Sequence, residues 1–302
     1  MRRDAPLSIN EDFLFAPDGT RIAYRAEGEG PAFVLTNGLT TTTTFWDHIR
    51  PRWLTRHRVI TWDLPGHGHS SPAATAAGAR FEALPEIIVQ VMEAAGVSRA
   101  TQIGWSTGCQ VVFETYRQFP ARCDALVALL GPAGNVLDTT ELPLAGSHLY
   151  RLLRHLPPYV FAPIFRVLTA NADAPGGPAV GRRFRLIGRD TTNHDARRIL
   201  AHLSRVDART MQTMGRSAQE HSAHDILARI GAPVLVVAGD RDPFAPAERV
   251  GLPLHRAIPG SELLRLPKGT HTALLDHAEV IADAVEDFVA RSSRSGETFA
   301  AE

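Results

Sequence analysis

One serine stands where a strand-like run gives way to a helix-like run. Residues 104–108 read Gly-Trp-Ser-Thr-Gly and match the pattern G-x-S-x-G, with Ser106 at the centre. The run 100–105 has the apolar pattern of a buried strand, and helical spacing begins at about Gln110. A serine on such a tight turn exposes its hydroxyl at the sheet edge, beside N–H groups that stabilise negative charge. This context predicts a nucleophile rather than a chance match in a loop.

A serine hydroxyl needs a general base before it can act as a nucleophile. The chain has 13 histidines, and His271 lies between the last strand-like run and the last helix-like run. That position predicts the carboxyl edge of the sheet, the edge that also carries Ser106. His277 lies further into the helix and should point elsewhere. We predict that His271 is the base, the alternative being a histidine that caps the helix or packs in the core.

The third residue of such a site is an acid that orients the imidazole and stabilises the imidazolium. Residues 239–243 read Gly-Asp-Arg-Asp-Pro and follow the most apolar strand-like run. Either aspartate could serve. Asp240 follows the strand directly and could instead bond its own turn backbone, whereas Asp242 lies further out and is fixed by Pro243. We therefore favour Asp242.

A carbonyl group attacked by the serine becomes an oxyanion, and this oxyanion needs two N–H donors. One should be the N–H of Thr107, the residue after the nucleophile. The other should come from the loop after the strand-like run 33–36, with Leu39 as first choice and Thr40 as the alternative. Taken alone, Asn-Gly at 37–38 would simply indicate a turn.

Alternating strand-like and helix-like runs place all of these residues. They predict a mostly parallel sheet with helices on both faces, preceded by one antiparallel pair. The predicted strands are 11–15, 21–25, 33–36, 59–62, 100–105, 125–130, 234–237 and 262–266. The predicted helices between them are 46–54, 81–95, 110–119 and 273–290.

The alternation stops between about 135 and 222, where strand-like runs are absent. Helices are predicted there at 147–156, 160–168 and 196–206, separated by proline-rich and glycine-rich breaks. We predict an α/β core formed by residues 1–134 and 223–302, with residues 135–222 inserted as a helical cap. The stretch 140–222 holds 12 arginines against 6 acidic residues. It could attract anionic substrates, but in a chain with 31 arginines and one lysine a solvated face is the favoured interpretation.

Composition narrows the function classes. The 32 basic and 32 acidic residues balance, so no general attraction to nucleic acid or an anionic membrane is expected. Neither a secretory signal nor an apolar run of about 18 residues is found. Cys109 and Cys123 do not make a disulfide framework and are expected to be buried free thiols, which fits a cytoplasmic protein.

Taken together, these motifs resemble the α/β-hydrolase superfamily over about residues 12–290. The resemblance rests on Asn-Gly at 37–38 with Trp46 downstream, Asp-Leu-Pro-Gly-His-Gly-His-Ser at 63–70, and the segments 104–108, 239–246 and 269–271. It implies an eight-stranded sheet with a helical cap and the chain order serine, aspartate, histidine. Relatives usually use the second aspartate of Gly-Asp-x-Asp-Pro, which supports Asp242. Relatives often have His-Gly where this chain has Asn-Gly.

Other reactive residues have simpler interpretations. His67 and His69 could form a metal pair, but the residues that follow supply no further ligands, so a polar turn is expected. The same holds for His221 and His224. Cys109 starts the helix after Ser106, and a helix N-terminus can lower a thiol pKa. Packing is still the favoured role, because Ser106 already holds the nucleophile position.

These residues favour hydrolysis of a small-molecule carboxylic ester, lactone or thioester through an acyl-enzyme on Ser106, without cofactor or metal. A serine nucleophile argues against the haloalkane dehalogenases and epoxide hydrolases of this fold, which use aspartate. Two alternatives stay open. The same triad could serve perhydrolysis, carbon–carbon bond hydrolysis or acyl transfer, or the chain could be a non-catalytic ligand receptor. Fold alone does not identify a substrate.

Overall fold

Eight strands form a single sheet in the computed structural model, which describes residues 11–141, 152, 155–183 and 185–299. All eight predicted strands are present, and several extend by a few residues where a neighbouring strand continues the ladder. Their bounds are β1 Asp12–Phe15, β2 Arg21–Glu27, β3 Ala32–Thr36, β4 Arg58–Trp62, β5 Ala100–Trp105, β6 Cys123–Leu129, β7 Val234–Gly239 and β8 Glu262–Leu266.

The strand order is β1-β2-β4-β3-β5-β6-β7-β8. β2 runs antiparallel to both of its neighbours, β1 and β4. All the other neighbouring strands pair in parallel. The carboxyl ends of β3, β5, β7 and β8 therefore meet at one edge of the sheet. Each of the segments predicted to carry chemistry follows one of these strands.

Helices of the core flank the sheet. The predicted helix 46–54 divides into a 3₁₀ helix and α1, because Pro51 lacks an N–H and suits the first turn of a new helix. The predicted helix 273–290 breaks at His277, whose backbone is not helical. Before β6 the bounds are 3₁₀ Thr43–Trp46, α1 Arg50–Trp53, α2 Leu84–Ala94 and α3 Gly108–Gln118. After β7 they are α9 Leu252–Ala257, α10 Ala273–Asp276 and α11 Ala278–Phe299.

Alternate residues of the central strands bury both faces of the sheet. Val127 and Leu129 of β6 belong to a buried cluster with Phe288 of α11. Leu126, between them in sequence, points the other way and belongs to a cluster with Phe113 of α3. This two-residue period, with apolar side chains on both faces, is what a parallel sheet covered on both sides requires.

The chain between β6 and β7 contains no strand in its described part, as predicted from the sequence. The predicted helix 147–156 lies almost wholly outside the described residues. Three helices here, α4, α6 and α8, were not predicted. The sequences of α6 and α8 are rich in glycine, arginine and other polar residues, and α4 is only four residues long. The bounds are α4 Val136–Thr139, α5 Pro158–Thr169, α6 Gly177–Arg183, α7 Asn193–Leu203 and α8 Ala208–Glu220.

The two ends of this segment lie side by side. Gly134 and Ser222 form an antiparallel bridge, and the N–H of Asn135 donates to the carbonyl of His221 at 3.1 Å. The last helix, α8, packs on the core: Met214 is fully buried in the cluster beneath α2, and Gln110 Nε2 donates to the carbonyl of Ala218 at 2.8 Å. The division at 135 and 222 stays a prediction, and α8 is the helix that ties this segment to the core.

None of the helices in the described part of the chain has both the length and the apolar character needed to cross a membrane.

Phe113→Ala should destabilise the protein strongly. Phe113 is 0% exposed, so its removal leaves a cavity between α3 and the sheet and should lower the free energy of unfolding by about 3–5 kcal/mol. Phe15→Ala is the matched control, because Phe15 is 70% exposed on the edge strand β1. Urea unfolding followed by circular dichroism measures both changes. Equal losses of unfolding free energy in the two variants would contradict the burial of Phe113.

Candidate active site

Ser106 occupies a sharp turn between β5 and α3. Its backbone has φ +57°, a left-handed conformation that costs a non-glycine residue of order 1–3 kcal/mol. Its N–H donates to the carbonyl of Leu129 at 2.9 Å, which ties the turn to β6. A Cβ on Gly104 would lie 2.4 Å from the carbonyl oxygen of Gly108, and a Cβ on Gly108 would lie 2.4 Å from that of Thr36. Both glycines are therefore required by close backbone contacts.

The structure brings together the three residues predicted to do chemistry. The Ser106 hydroxyl lies 2.9 Å from His271 Nε2, and His271 Nδ1 lies 2.8 Å from Asp242 Oδ2. Asp242 is 1% exposed and His271 is 8% exposed. In the tautomer whose Nδ1–H donates to the carboxylate, Nε2 is the acceptor for the serine hydroxyl.

The geometry also separates the two aspartates that the sequence left as alternatives. Asp242 Oδ1 accepts hydrogen bonds from the N–H groups of Phe244 at 2.8 Å and Ala245 at 3.1 Å, which leaves Oδ2 aimed at His271. Asp240 instead accepts from Arg265 Nε at 2.6 Å on the surface. Asp242 is therefore the aspartate beside the histidine.

Aromatic side chains surround His271. Trp105 Nε1 donates to the backbone carbonyl of His271 at 3.1 Å, and Phe45 stacks on the Trp105 ring with centroids 4.0 Å apart. Phe244 lies 4.5 Å from the imidazole, centroid to centroid. These residues were not identified from the sequence, although Trp105 lies inside the G-x-S-x-G motif. They pack around the imidazole, which is largely buried.

The loop of residues 37–43 lies against Ser106. A Cβ on Gly38 would lie 2.7 Å from Ser106 Cβ, so the loop approaches at glycine distance. Asn37 is buried, accepts from Trp46 Nε1 at 2.5 Å and donates to the carbonyl of Trp62 at 3.3 Å. Asn37 therefore holds the loop in place.

The two N–H groups predicted from this loop as oxyanion donors both have acceptors. The Leu39 N–H donates to Thr107 Oγ1 at 2.9 Å. The Thr40 N–H donates to His67 Nε2 at 3.0 Å, with Thr40 in the left-handed region at φ +65°. By contrast, the N–H of Thr107 makes no hydrogen bond to any residue that the structure describes.

His67 is a buried support of this loop. Its Nδ1 donates to the carbonyl of Pro65 at 2.8 Å, and its Nε2 accepts from Thr40. Burial lowers the pKa of His67 to about 4, so the ring stays neutral and keeps Nε2 as an acceptor. Because both ring nitrogens are occupied, His67 does not offer a metal ligand, and His69 pairs with Glu11 at the surface.

Asp63 supports the same loop from the end of β4. Its Oδ1 accepts from the Thr43 N–H at 3.2 Å, and its Oδ2 accepts from the His69 N–H at 3.0 Å. Burial raises the pKa of Asp63 to about 6. In the sequence, the motif at 63–70 indicated only the resemblance to the superfamily. In the structure it organises the loop opposite Ser106.

The remaining reactive side chains pack in the core. Cys109 is fully buried, its thiol donates to the carbonyl of Gly104 at 3.2 Å, and burial raises its pKa. Cys123 is also a buried free thiol. His221 is buried against Glu114, with Nε2 and Oε2 2.9 Å apart.

Acid should destabilise the protein through two buried histidines. His202 of α7 lies beside His67, and burial lowers its pKa to about 4 as well, from an ordinary 6.5. Between pH 6.5 and 4 the unfolded chain binds protons that the folded chain does not, so stability falls as pH falls. Asp63 opposes this trend below about pH 6, because its raised pKa makes the folded state the better proton acceptor.

Between pH 7 and pH 5, the unfolding temperature of His202→Phe should therefore fall less than that of the wild type. His194→Phe is the control, since that histidine is 78% exposed on the same helix and should leave the pH dependence unchanged. Differential scanning calorimetry at several pH values gives the comparison. A wild-type slope retained in His202→Phe would show that His202 is not held neutral.

The fold agrees with comparisons to known proteins. A family model described as the alpha/beta hydrolase fold matches residues 31–278. The pimeloyl-[acyl-carrier protein] methyl ester esterase of Methylococcus capsulatus is 30% identical over 277 residues, which cover 88% of this chain and 97% of that protein. The enzyme of the same name from Neisseria meningitidis serogroup A is 29% identical and is covered over 72% of its length, with 81% of this chain aligned.

Solved structures show the same architecture. A hydrolase from Pseudomonas aeruginosa superimposes with a TM-score of 0.74 at 24% identity, covering 94% of this chain and 99% of that one. An enol-lactonase from Burkholderia xenovorans does so with a TM-score of 0.70 at 21% identity, covering 92% and 100%. At these identities the likeness concerns the fold, whereas the family model spans most of the sequence, so this chain belongs to the alpha/beta hydrolase fold family.

Proposed function

We propose that this protein hydrolyses small-molecule carboxylic esters, a class that includes lactones and thioesters, through an acyl-enzyme on Ser106. The observation that carries the proposal is the continuous hydrogen-bonded line from the Ser106 hydroxyl through His271 to the buried Asp242. Two of the relatives are pimeloyl-[acyl-carrier protein] methyl ester esterases, which supports ester hydrolysis in general.

In the acylation step, Ser106 Oγ attacks the ester carbonyl carbon while His271 Nε2 takes the hydroxyl proton. The carbonyl π electrons move to oxygen and form a tetrahedral oxyanion. Asp242 stabilises the imidazolium and stays ionised. Its carboxylate is held by two backbone N–H groups, so it is oriented before the substrate arrives and no reorganisation is needed during the reaction.

Collapse of the oxyanion breaks the bond between the carbonyl carbon and the leaving oxygen. His271 donates its proton to the departing alcohol, which leaves the acyl group on Ser106. A water molecule then gives a proton to His271 and attacks the acyl carbon, and the second collapse releases the acid and restores the serine hydroxyl. The reaction consumes one ester and one water and produces one acid and one alcohol.

The N–H of Thr107 is the backbone donor best placed to hold the oxyanion. It follows the nucleophile directly, lies at the start of the eleven-residue helix α3, and has no acceptor among the described residues. Its helix adds a favourable dipole to the N–H donor. The N–H of Leu39, the second predicted donor, already donates to the Thr107 side chain.

Ser106→Ala should abolish hydrolysis of p-nitrophenyl esters across a series from acetate to decanoate. Removal of a nucleophile in such a triad costs about 10⁶ in kcat. Release of p-nitrophenolate measures the rates, and the chain length with the highest kcat/KM sizes the acyl pocket. A matching unfolding temperature in the two proteins is the control for folding.

A wild type without Ser106-dependent turnover on any of these esters would contradict the proposal. Peroxide and alcohol acceptors, carbon–carbon cleavage substrates and ligand-binding measurements would then distinguish perhydrolysis, acyl transfer, carbon–carbon hydrolysis and a receptor role.

Asp242→Asn should lower kcat by about 10⁴, because an amide favours the wrong imidazole tautomer and cannot stabilise the imidazolium. Asp240→Asn is the matched control two residues away. Asp240 bonds Arg265 at the surface, so its replacement should leave kcat within about two-fold, since surface ion pairs contribute little. Steady-state kinetics on the preferred p-nitrophenyl ester measures both. The reverse order of effects would assign the acid to Asp240.

A further inference from the structure

The second N–H donor expected from the loop of residues 37–43 is already in use. Leu39 N–H donates to Thr107 Oγ1 at 2.9 Å, a normal length for such a bond. The side chain of the residue after the nucleophile therefore stands where the sequence predicts that Leu39 would meet an oxyanion. An ester carbonyl must either displace this hydroxyl or bind to it.

The Thr107 hydroxyl retains an unused donor. A threonine hydroxyl has one proton to give and two lone pairs to accept with. The Leu39 N–H occupies one lone pair, and no residue in the described part of the chain accepts the proton. Thr107 is only 8% exposed. An O–H group with so little access to bulk water gains most from an acceptor brought into the site.

The Thr107 hydroxyl bonds the loop that lies against the nucleophile. Thr107 directly follows Ser106, and the loop carrying Leu39 approaches so closely that a Cβ on Gly38 would lie 2.7 Å from Ser106 Cβ. The hydroxyl therefore links that loop to the residue that follows the nucleophile. The free N–H of Thr107 belongs to the same residue, so the N–H and O–H can converge on one oxygen atom.

We propose that the Thr107 hydroxyl is an oxyanion-hole donor, a role that rests on the proposed acyl-enzyme function. It accepts from Leu39 N–H and gives its own proton, as a hydrogen bond, to the ester carbonyl oxygen as negative charge develops. The Leu39 N–H acts through the hydroxyl and strengthens its donation by polarising it. The alternative is that the hydroxyl blocks the hole and rotates away, which leaves Leu39 N–H as the direct donor.

Two substitutions separate these arrangements. Thr107→Val keeps the shape and the backbone N–H but removes the hydroxyl, and Thr107→Ser keeps the hydroxyl. If the hydroxyl is a donor, Thr107→Val should lower kcat for the preferred p-nitrophenyl ester by about 10²–10³, the loss typical of one oxyanion donor. KM should stay within about three-fold, because the bond forms in the transition state. Thr107→Ser should retain kcat within about ten-fold of wild type.

Binding of an alkyl trifluoromethyl ketone gives a readout that does not depend on turnover. Ser106 Oγ adds to its carbonyl carbon, His271 takes the proton, and the resulting oxyanion occupies the hole. Thr107→Val should weaken its inhibition constant, or its calorimetric Kd, by about the same factor as kcat, and Thr107→Ser should not. Unfolding temperatures of the variants control for folding, and Thr107→Ala serves if Thr107→Val is unstable.

Unchanged or faster hydrolysis by Thr107→Val, with unchanged ketone binding, would overturn the inference and make the hydroxyl an obstruction. That result leaves the proposed function intact, because Ser106-dependent turnover would remain. A wild type that neither hydrolyses the esters nor binds the ketone would instead overturn both proposals.

Discussion

The strained turn at Ser106 is the constraint on which the site depends. A left-handed serine at the end of β5 puts its hydroxyl outside the sheet, but only if neighbouring backbones come within contact distance of the turn. That is why glycines stand at 104 and 108, and also at 131, where a Cβ would lie 1.9 Å from the Ser106 carbonyl oxygen. The strain is held by the surrounding sheet, since the Ser106 N–H is bonded to β6.

Buried polar groups hold the other side of the site. Asn37, Asp63 and His67 each bond backbone or indole N–H groups of the loop of residues 37–43 or its 3₁₀ continuation. Burying such groups is costly unless they are satisfied, and each of these contacts satisfies both partners. The loop is therefore held by several hydrogen bonds where it faces Ser106, an arrangement that suits the proposed oxyanion site. The neutral state of His67 is part of this arrangement, because a protonated ring could not accept from Thr40.

The helical segment between β6 and β7 contacts this framework unevenly. Its last helix, α8, shares the core beneath α2, whereas α5 exposes Tyr159, Val167 and Leu168. Part of the positive charge of this segment pairs with the core, since Arg198 of α7 lies 2.6 Å from Asp47 near α1.

Periodicity and turn residues were enough to predict the eight strands and the core helices other than α9. They also predicted that Ser106, His271 and Asp242 lie at one sheet edge. Local apolar patterns are encoded in short stretches of chain, and the parallel topology brings the ends of those stretches together. The sequence left Asp240 and Asp242 as alternatives, and only the fold showed Arg265 beside one and His271 beside the other. It also could not show that Thr107 intercepts Leu39, or that His67 supports Thr40. Those contacts join residues 27 to 68 positions apart, and hydrogen bonds at such separations are set by how loops from different strands meet.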